Sequence, residues 1–147
     1  MNHEPFHILL VEDNEDHAEI TMVTLEENHV ANQVVWVKDG AEALDYLFRR
    51  GMYADPVRHP APGLILLDLK LPKVDGLEVL KEIKTEPALR RIPVVMLTTS
   101  SREEEILRSY DLGVNSYVTK PVRFTELSEK LRHICDFWML TNTPPPR

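Results

Sequence analysis

The stretch from Gly63 to Gly76 constrains the fold of this chain more than any other part of its sequence. Pro62 and Gly63 precede four consecutive apolar residues, Leu64 to Leu67, and Asp68 follows them. Such a short apolar run predicts a strand that is buried on both faces, as in parallel sheets. Ligands bind beyond the carboxyl ends of the strands in open parallel sheets. Asp68 is therefore a candidate site residue, although carboxylates also follow strands because they suit turns.

Four further short runs resemble the first, and helical patterns alternate with them along the chain. The five predicted strands are Ile8–Val11, Val34–Val37, Leu64–Leu67, Val94–Leu97 and Ser116–Thr119. Asn14 is expected to cap the first helix, and helical spacing places Ile106, Leu107 and Tyr110 on one side of the fourth. Strands that alternate with helices imply crossover connections. We therefore predict an α/β fold with a parallel sheet covered on both faces.

Length, charge and cysteine content exclude several classes of protein. A chain of 147 residues fits one domain. A net charge of −7 argues against a nucleic-acid-binding surface, because phosphate contacts need clustered Lys and Arg. The single cysteine, Cys135, excludes a disulfide within the chain and a cysteine zinc site. No apolar stretch approaches the ~18 residues of a membrane helix, so we expect no membrane segment and a cytoplasmic location.

The residues at the strand ends indicate the chemistry. Glu12 and Asp13 follow the first strand, Asp68 the third, Thr98 the fourth and Lys120 the fifth. Three carboxylates at one edge of a sheet repel one another unless a cation lies among them, and Mg²⁺ prefers such oxygen ligands. Beside a metal ion, Asp68 is a candidate nucleophile toward phosphorus. Lys120 and Thr98 are candidate ligands for the phosphoryl oxygens.

Five motifs resemble those of a known family. In chain order they are Val-Glu-Asp, Leu-Leu-Asp-Leu, Leu-Pro-Lys-Val-Asp-Gly, Leu-Thr-Thr and Tyr-Val-Thr-Lys-Pro. From about Phe6 to Ile134 the chain resembles a response-regulator receiver domain. The resemblance implies a flavodoxin-like, doubly wound sheet of five parallel strands in the order 2-1-3-4-5. It also implies a phosphoacceptor that assists its own phosphoryl transfer and dephosphorylation, and not an enzyme.

The same resemblance assigns roles to individual residues. It makes Asp68 the phosphoacceptor, Glu12 and Asp13 the acid pair at Mg²⁺, Thr98 and Lys120 the phosphoryl ligands, the Lys70 carbonyl a further metal ligand, and Thr98 with Tyr117 the switch. Glu12 stands where aspartate is commoner, so direct contact with the metal and contact through water both stay open. The Lys120–Pro121 peptide is predicted to be cis, because a tight turn must aim the lysine at Asp68. The histidines, His3, His7, His17, His29, His59 and His133, are expected at the surface.

A narrower resemblance concerns the whole chain. The proline-bearing loop from Gly51 to Pro62, the Leu-Thr-Thr-Ser sequence and the apolar run Phe137 to Leu140 are similar to those of stand-alone response regulators of bacterial phytochromes. This resemblance implies a sensor histidine kinase as partner, with a bacteriophytochrome as the candidate. Seven residues follow Leu140. We therefore expect no output domain.

The C-terminus departs from a plain receiver domain. We predict a receiver domain over residues 1–136 and an apolar, proline-rich arm over residues 137–147. The arm residues Phe137, Trp138, Met139 and Leu140 are four consecutive large apolar side chains, which typically mark an interface. We therefore predict a homodimer formed by the last helix and the arm. The alternative is an arm that folds back onto its own domain.

Other functional classes fit the sequence less well. A haloacid-dehalogenase-like phosphatase needs a second acid two residues after its nucleophile, where this chain has Lys70. A Rossmann nucleotide-binding protein needs a glycine-rich turn after the first strand, where this chain has the acidic sequence Glu12 to Glu15. Two alternatives stay open. They are a receiver-like scaffold that is not regulated by phosphorylation and an intermediate that passes its phosphoryl group to another histidine.

Overall fold

The computed structural model describes residues 7–28, 34–143 and 145. Within these ranges the strands are β1 (Ile8–Val11), β2 (Val34–Val37), β3 (Leu64–Leu67), β4 (Val94–Thr98) and β5 (Ser116–Thr119). The helices are α1 (Glu15–Glu27), α2 (Gly40–Leu47), α3 (Gly76–Thr85), α4 (Glu103–Asp111) and α5 (Phe124–Cys135). A 3-10 turn follows α2 at Gly51–Tyr53, and a π-helix, Asp136–Thr141, continues α5. The predicted strands are confirmed, with β4 one residue longer than expected.

All five strands are parallel and lie in the order β2-β1-β3-β4-β5, which confirms the predicted fold class and topology. The register brings the ends of the central strands to one level. Val11 pairs with both Val37 and Leu67, and Leu67 pairs with Met96 on its other side. Residues that follow β1 and β3 therefore emerge side by side at one edge of the sheet.

Two apolar layers cover the sheet. On one face, α1 and α5 pack against strand residues such as Leu10 and Leu66. On the other face, α2 and α3 pack against Leu9, Ile65 and Leu67, which are completely buried. Successive residues of β1 and β3 contact opposite layers, which explains why these strands are continuous apolar runs.

The buried residues of helix α4 are polar. Leu107 is 64% exposed and Tyr110 is 51% exposed, whereas the buried residues of the helix are Glu105 and Ser109. Glu105 is hydrogen-bonded to side chains that precede α4 in the chain, and Ser109 Oγ donates to the carbonyl of Glu105 at 2.8 Å. Polar contacts therefore form on the buried side of this helix. Leu107 and Tyr110, which helical spacing places on one side, lie on the exposed side of α4.

Gly76 allows α3 to begin against the backbone that carries Asp68. The Gly76 amide donates to the Leu69 carbonyl at 2.9 Å. A Cβ atom on Gly76 would lie 2.2 Å from the Asp68 carbonyl oxygen, which is well inside van der Waals contact. Only glycine fits this approach without moving the loop, so Gly76 helps to position Asp68.

The C-terminal extension lies along the α1 and α5 side of the domain. Trp138 and Met139 are partly buried against that layer, and Phe137 is 49% exposed. The side chain of Leu140 and the residues Pro144, Pro146 and Arg147 lie outside the described part of the chain. None of the helices described here has the length and apolar character needed to cross a membrane.

Candidate functional site

Three carboxylates meet at the carboxyl edge of the sheet, as the sequence predicted. Oxygens of Glu12, Asp13 and Asp68 all lie within 4.8 Å of one another. Glu12 and Asp13 continue from β1, and Asp68 continues from the neighbouring strand β3. The Asp68 amide donates to the Val11 carbonyl at 3.1 Å, which holds the two strand ends together. The sheet register therefore builds the cluster directly.

Lys120 reaches the same cluster from the end of β5. Its Nζ contacts Glu12 Oε1 and lies 3.2 Å from Asp68 Oδ2, and its side chain is only 1% exposed. Its backbone amide donates to the Thr98 carbonyl at 2.6 Å, which ties the loop after β5 to the end of β4. The predicted ammonium at the acid cluster is therefore present.

The prediction of a cis peptide between Lys120 and Pro121 is wrong. The described part of the chain contains no cis peptide bond. The trans form of a bond before proline is favoured by about 0.5–1 kcal/mol. Because Lys120 reaches both Glu12 and Asp68 with the peptide in the trans form, aiming the lysine does not require the cis form.

The electrostatics of the cluster suit a divalent cation. Glu12 is 2% exposed, and its burial and the neighbouring Asp68 carboxylate raise the pKa of Glu12 to about 7, although Lys120 acts in the opposite direction. Three carboxylates beside one ammonium leave an excess of negative charge. A cation with oxygen ligands would offset this excess and favour the ionised form of Glu12. The residues present therefore fit a divalent metal site.

His17 belongs to the site, although the sequence analysis placed it at the surface. Its Nδ1 lies 3.1 Å from Lys120 Nζ and 4.0 Å from Glu12 Oε1. Partial burial, and then the Lys120 ammonium, lower the pKa of His17 below its ordinary value. The predicted cap at Asn14 could have indicated this position. A residue three positions after the cap lies in the first turn of α1, beside the acid pair. His17 is therefore only partly at the surface, with its side chain 22% exposed, and His3 and His29 lie outside the described residues.

Trp36 is a second contributor that the sequence analysis missed. It lies on the edge strand β2, and its indole Nε1 donates to the main-chain carbonyl of Glu12 at 2.8 Å. Glu12 is also held through its amide, which donates to the Val37 carbonyl at 3.1 Å. Both contacts come from β2, so this strand positions the acid pair although it supplies no ligand.

The two predicted switch residues are connected through Ser100. Thr98 is the last residue of β4, is buried, and accepts a hydrogen bond at Oγ1 from the Ser100 amide at 3.3 Å. The Tyr117 hydroxyl donates to the Ser100 carbonyl at 2.9 Å. Tyr117 is partly buried, and this burial raises the pKa of its hydroxyl. The loop after β4 is therefore bonded to both side chains.

The same loop is bonded to α4 and to the segment after Asp68. Lys70 Nζ lies 2.8 Å from Glu105 Oε2, and Ser100 Oγ donates to Glu105 Oε1 at 2.5 Å. These bonds hold the pKa of Glu105 below its ordinary value. The predicted metal contact of Lys70 involves its main-chain carbonyl and not this ammonium, and it stays a prediction.

A family model for the response regulator receiver domain matches residues 8–132. Among curated proteins, the probable methanogenesis regulatory protein FilR2 of Methanothrix harundinacea is 43% identical over 97% of this chain and 89% of its own length. The response regulator Rcp1 of a Synechocystis strain is also 43% identical, over 94% of this chain and 92% of its own length.

Solved structures agree with these relationships. The phosphorylated cyanobacterial phytochrome response regulator RcpA is 46% identical, superposes with a TM-score of 0.92, and the match covers 97% of this chain and 100% of that one. The Mn²⁺-bound form of Rcp1 gives 42% identity and a TM-score of 0.90 with the same coverage. The likeness therefore extends over almost the whole of each chain.

Proposed function

Because this chain belongs to the family of response regulator receiver domains, we propose that it acts as a single-domain response regulator whose phosphoacceptor is Asp68. The observation that carries the proposal is the surroundings of Asp68. Two further carboxylates lie within 4.8 Å of it, and the buried Lys120 ammonium lies 3.2 Å from its Oδ2. A carboxylate in such a site can approach an anionic phosphoryl group when cations offset the charge.

The proposed reaction transfers a phosphoryl group from a phosphohistidine. A carboxylate oxygen of Asp68 attacks the phosphorus, a P–O bond forms, and the P–N bond of the donor breaks with its electron pair left on the imidazole nitrogen. Lys120 neutralises a phosphoryl oxygen as a point charge, and the Thr98 hydroxyl donates a hydrogen bond to another. The chain thereby assists its own phosphorylation without being an enzyme that turns over a separate substrate.

We propose Mg²⁺ as the metal ion. Glu12, Asp13 and Asp68 would hold it with the Lys70 carbonyl, and when bound it offsets charge on the phosphoryl group and the carboxylates. Support comes from the all-oxygen donor set and from the Mn²⁺-bound form of Rcp1, a relative with 42% identity. Titration of the metal-free protein with Mg²⁺ should give saturable binding, which Asp13→Asn weakens strongly. Equal binding by that variant would contradict the assignment.

The proposed phosphodonor is a sensor histidine kinase of the bacteriophytochrome type. Support comes from RcpA, which is described as a phytochrome response regulator and matches 97% of this chain. Phosphotransfer from a panel of purified kinases should show one kinase that labels this chain much faster than the others. If phytochromes transfer no faster than unrelated kinases, the partner assignment fails and Asp68 keeps its role.

The expected cytoplasmic location stays a prediction.

The same phosphotransfer experiment addresses an alternative in which the chain is a phosphotransfer intermediate. Adding candidate histidine-containing acceptor proteins would then move the label from Asp68 onward. If no kinase and no small phosphodonor labels the chain, the result would instead support the interpretation that it is a scaffold that is not regulated by phosphorylation.

We propose that Thr98 and Tyr117 form the switch that reports phosphorylation. Thr98 Oγ1 now accepts a bond from the Ser100 amide, and Tyr117 donates to the Ser100 carbonyl. A phosphoryl oxygen on Asp68 would accept a hydrogen bond from the Thr98 hydroxyl and draw that side chain inward, away from the Ser100 amide. The movement vacates space into which Tyr117 can rotate, and so biases the surface toward a second arrangement. A structure with beryllofluoride on Asp68 should show both side chains moved. Unchanged side chains would count against the switch.

We also propose that residues 137–147 form an arm that supports a homodimer, with residues 1–136 as the receiver domain. The half-exposed Phe137 supports an interface. The partial burial of Trp138 and Met139 instead supports an arm that folds back on its own domain. Light scattering distinguishes these two interpretations. We expect the full chain to be a dimer, and we expect removal of residues 137–147 to give a monomer that still accepts phosphate. A monomeric full chain would contradict the dimer.

A further inference from the structure

Lys120 has three neighbours for its three N–H groups. They are Glu12 Oε1, Asp68 Oδ2 at 3.2 Å and His17 Nδ1 at 3.1 Å. An ammonium group donates hydrogen bonds and cannot accept them. His17 Nδ1 must therefore be the acceptor in this contact, with the ring proton on Nε2. We propose that His17 is a positioning residue, which holds the third N–H of Lys120 and so aims the ammonium at Asp68.

The histidine is itself held in place by local structure. Asn14 caps α1, and its Oδ1 accepts a hydrogen bond from the His17 amide at 3.0 Å. The imidazole ring meets the ring of Phe124 edge to face, with 6.3 Å between centroids and an interplanar angle of 84°. The first turn of α1 and the first residue of α5 thus fix the ring from two sides.

The burial of Lys120 makes the third acceptor important. The lysine side chain is 1% exposed, so water has little access to an N–H group that loses its partner. A buried donor without a partner carries a desolvation cost, and the ammonium can reduce that cost by turning away from its present orientation. Without the His17 acceptor, Lys120 would therefore be less well placed to meet a phosphoryl oxygen on Asp68.

This inference rests on the proposed phosphorylation of Asp68, and two substitutions separate its elements. His17→Asn keeps an acceptor oxygen bonded to Cγ, as Nδ1 is in histidine, but removes the ring. His17→Phe keeps a ring against Phe124 but removes the acceptor. A positioning role for Nδ1 and a packing role for the ring therefore predict opposite orders of activity. His133→Phe, on the exposed side of α5, is the matched control.

The experiment measures the maximal rate of phosphorylation by acetyl phosphate and, separately, the Mg²⁺ concentration that gives half of that rate. We expect His17→Phe to lower the maximal rate on the order of tenfold, as for loss of one bond to a charged group. His17→Asn and the control should stay close to wild type. The half-saturating Mg²⁺ concentration should change by less than about twofold in His17→Phe, because the carboxylates are intact.

Several outcomes would overturn the inference. They are a His17→Phe rate equal to wild type, a slower reaction in His17→Asn than in His17→Phe, and a parallel loss of Mg²⁺ binding and rate that indicates general damage to the fold. Failure of the proposed function looks different. In that case wild type itself takes up no phosphate, or Asp68→Asn takes it up equally well.

Discussion

Replacing Trp36 with phenylalanine should destabilise the domain and disturb the metal site at the same time. The substitution keeps an aromatic ring on β2 but removes the indole N–H that donates to the Glu12 carbonyl at 2.8 Å. Glu12 is 2% exposed, so its carbonyl has little access to water as a replacement partner. This carbonyl joins the two residues of the acid pair, Glu12 and Asp13, so any shift of the main chain there moves a carboxylate of the cluster.

The size of the effect follows from these contacts. A buried polar group that loses its partner costs ~1–3 kcal/mol, and the smaller ring also buries less apolar area. We expect a loss of about 2 kcal/mol in the free energy of unfolding, which corresponds to a fall of about 4–8 °C in Tm for a domain of this size. The half-saturating Mg²⁺ concentration should rise, because Glu12 is less firmly held.

Thermal unfolding followed by circular dichroism, together with Mg²⁺ titration, measures both effects. Trp138→Phe is the matched control, because it changes the only other tryptophan, which lies in the C-terminal extension. The control should lower Tm less and leave the Mg²⁺ titration unchanged. If Trp36→Phe has the same Tm as wild type and binds Mg²⁺ equally well, the hydrogen bond from Trp36 on β2 has no part in positioning the acid pair.

Four further predictions concern the same edge of the sheet. As pH falls from about 7 toward 4.5, the half-saturating Mg²⁺ concentration should rise roughly tenfold per pH unit, because Glu12 must lose its proton to bind a cation. A half-saturating concentration that does not change with pH would contradict this prediction. In the metal-free protein, the raised pKa of Glu12 means that the folded state binds more protons than the unfolded state between pH 4.5 and about 7. The free energy of unfolding should therefore fall as pH rises through this range, which denaturation at several pH values would measure. Glu105→Gln should lower the free energy of unfolding by no more than about 1 kcal/mol, because its partner Lys70 is 65% exposed. In a double-mutant cycle, Glu105→Gln with Lys70→Met should destabilise the domain slightly less than the sum of the two single substitutions. Gly76→Ala should lower both Tm and the phosphorylation rate, because its Cβ would lie 2.2 Å from the Asp68 carbonyl, and an unchanged rate would refute that role.

The fold was predictable because its strands carry a strong and local signal. The runs Ile8–Val11 and Leu64–Leu67 are buried on both faces, so every residue in them is apolar and their ends are marked by charges. Alternation with helices then leaves a parallel sheet as the arrangement that buries these strands. The acid cluster followed from the same signal, because Glu12 and Asp68 directly succeed neighbouring strands.

The remaining features depend on contacts between segments that are distant in the chain. His17 and Trp36 belong to the site only because α1 and β2 are placed beside Lys120 and Glu12 in three dimensions. The burial of Glu105 in α4 could not be predicted, because its polar partners lie elsewhere in the chain and hydrophobic periodicity carries no information about such partners. The trans peptide before Pro121 was missed because the reach of a long lysine side chain is not encoded in the motif.

The central claim is that Asp68 accepts a phosphoryl group in a metal-dependent reaction. The most direct test is the intact mass of the protein after incubation with acetyl phosphate and Mg²⁺. We predict that wild type gains the mass of one phosphoryl group, that Asp68→Asn gains none, and that excess chelator abolishes the gain in wild type. Equal phosphorylation of Asp68→Asn, or of wild type in excess chelator, would contradict the account.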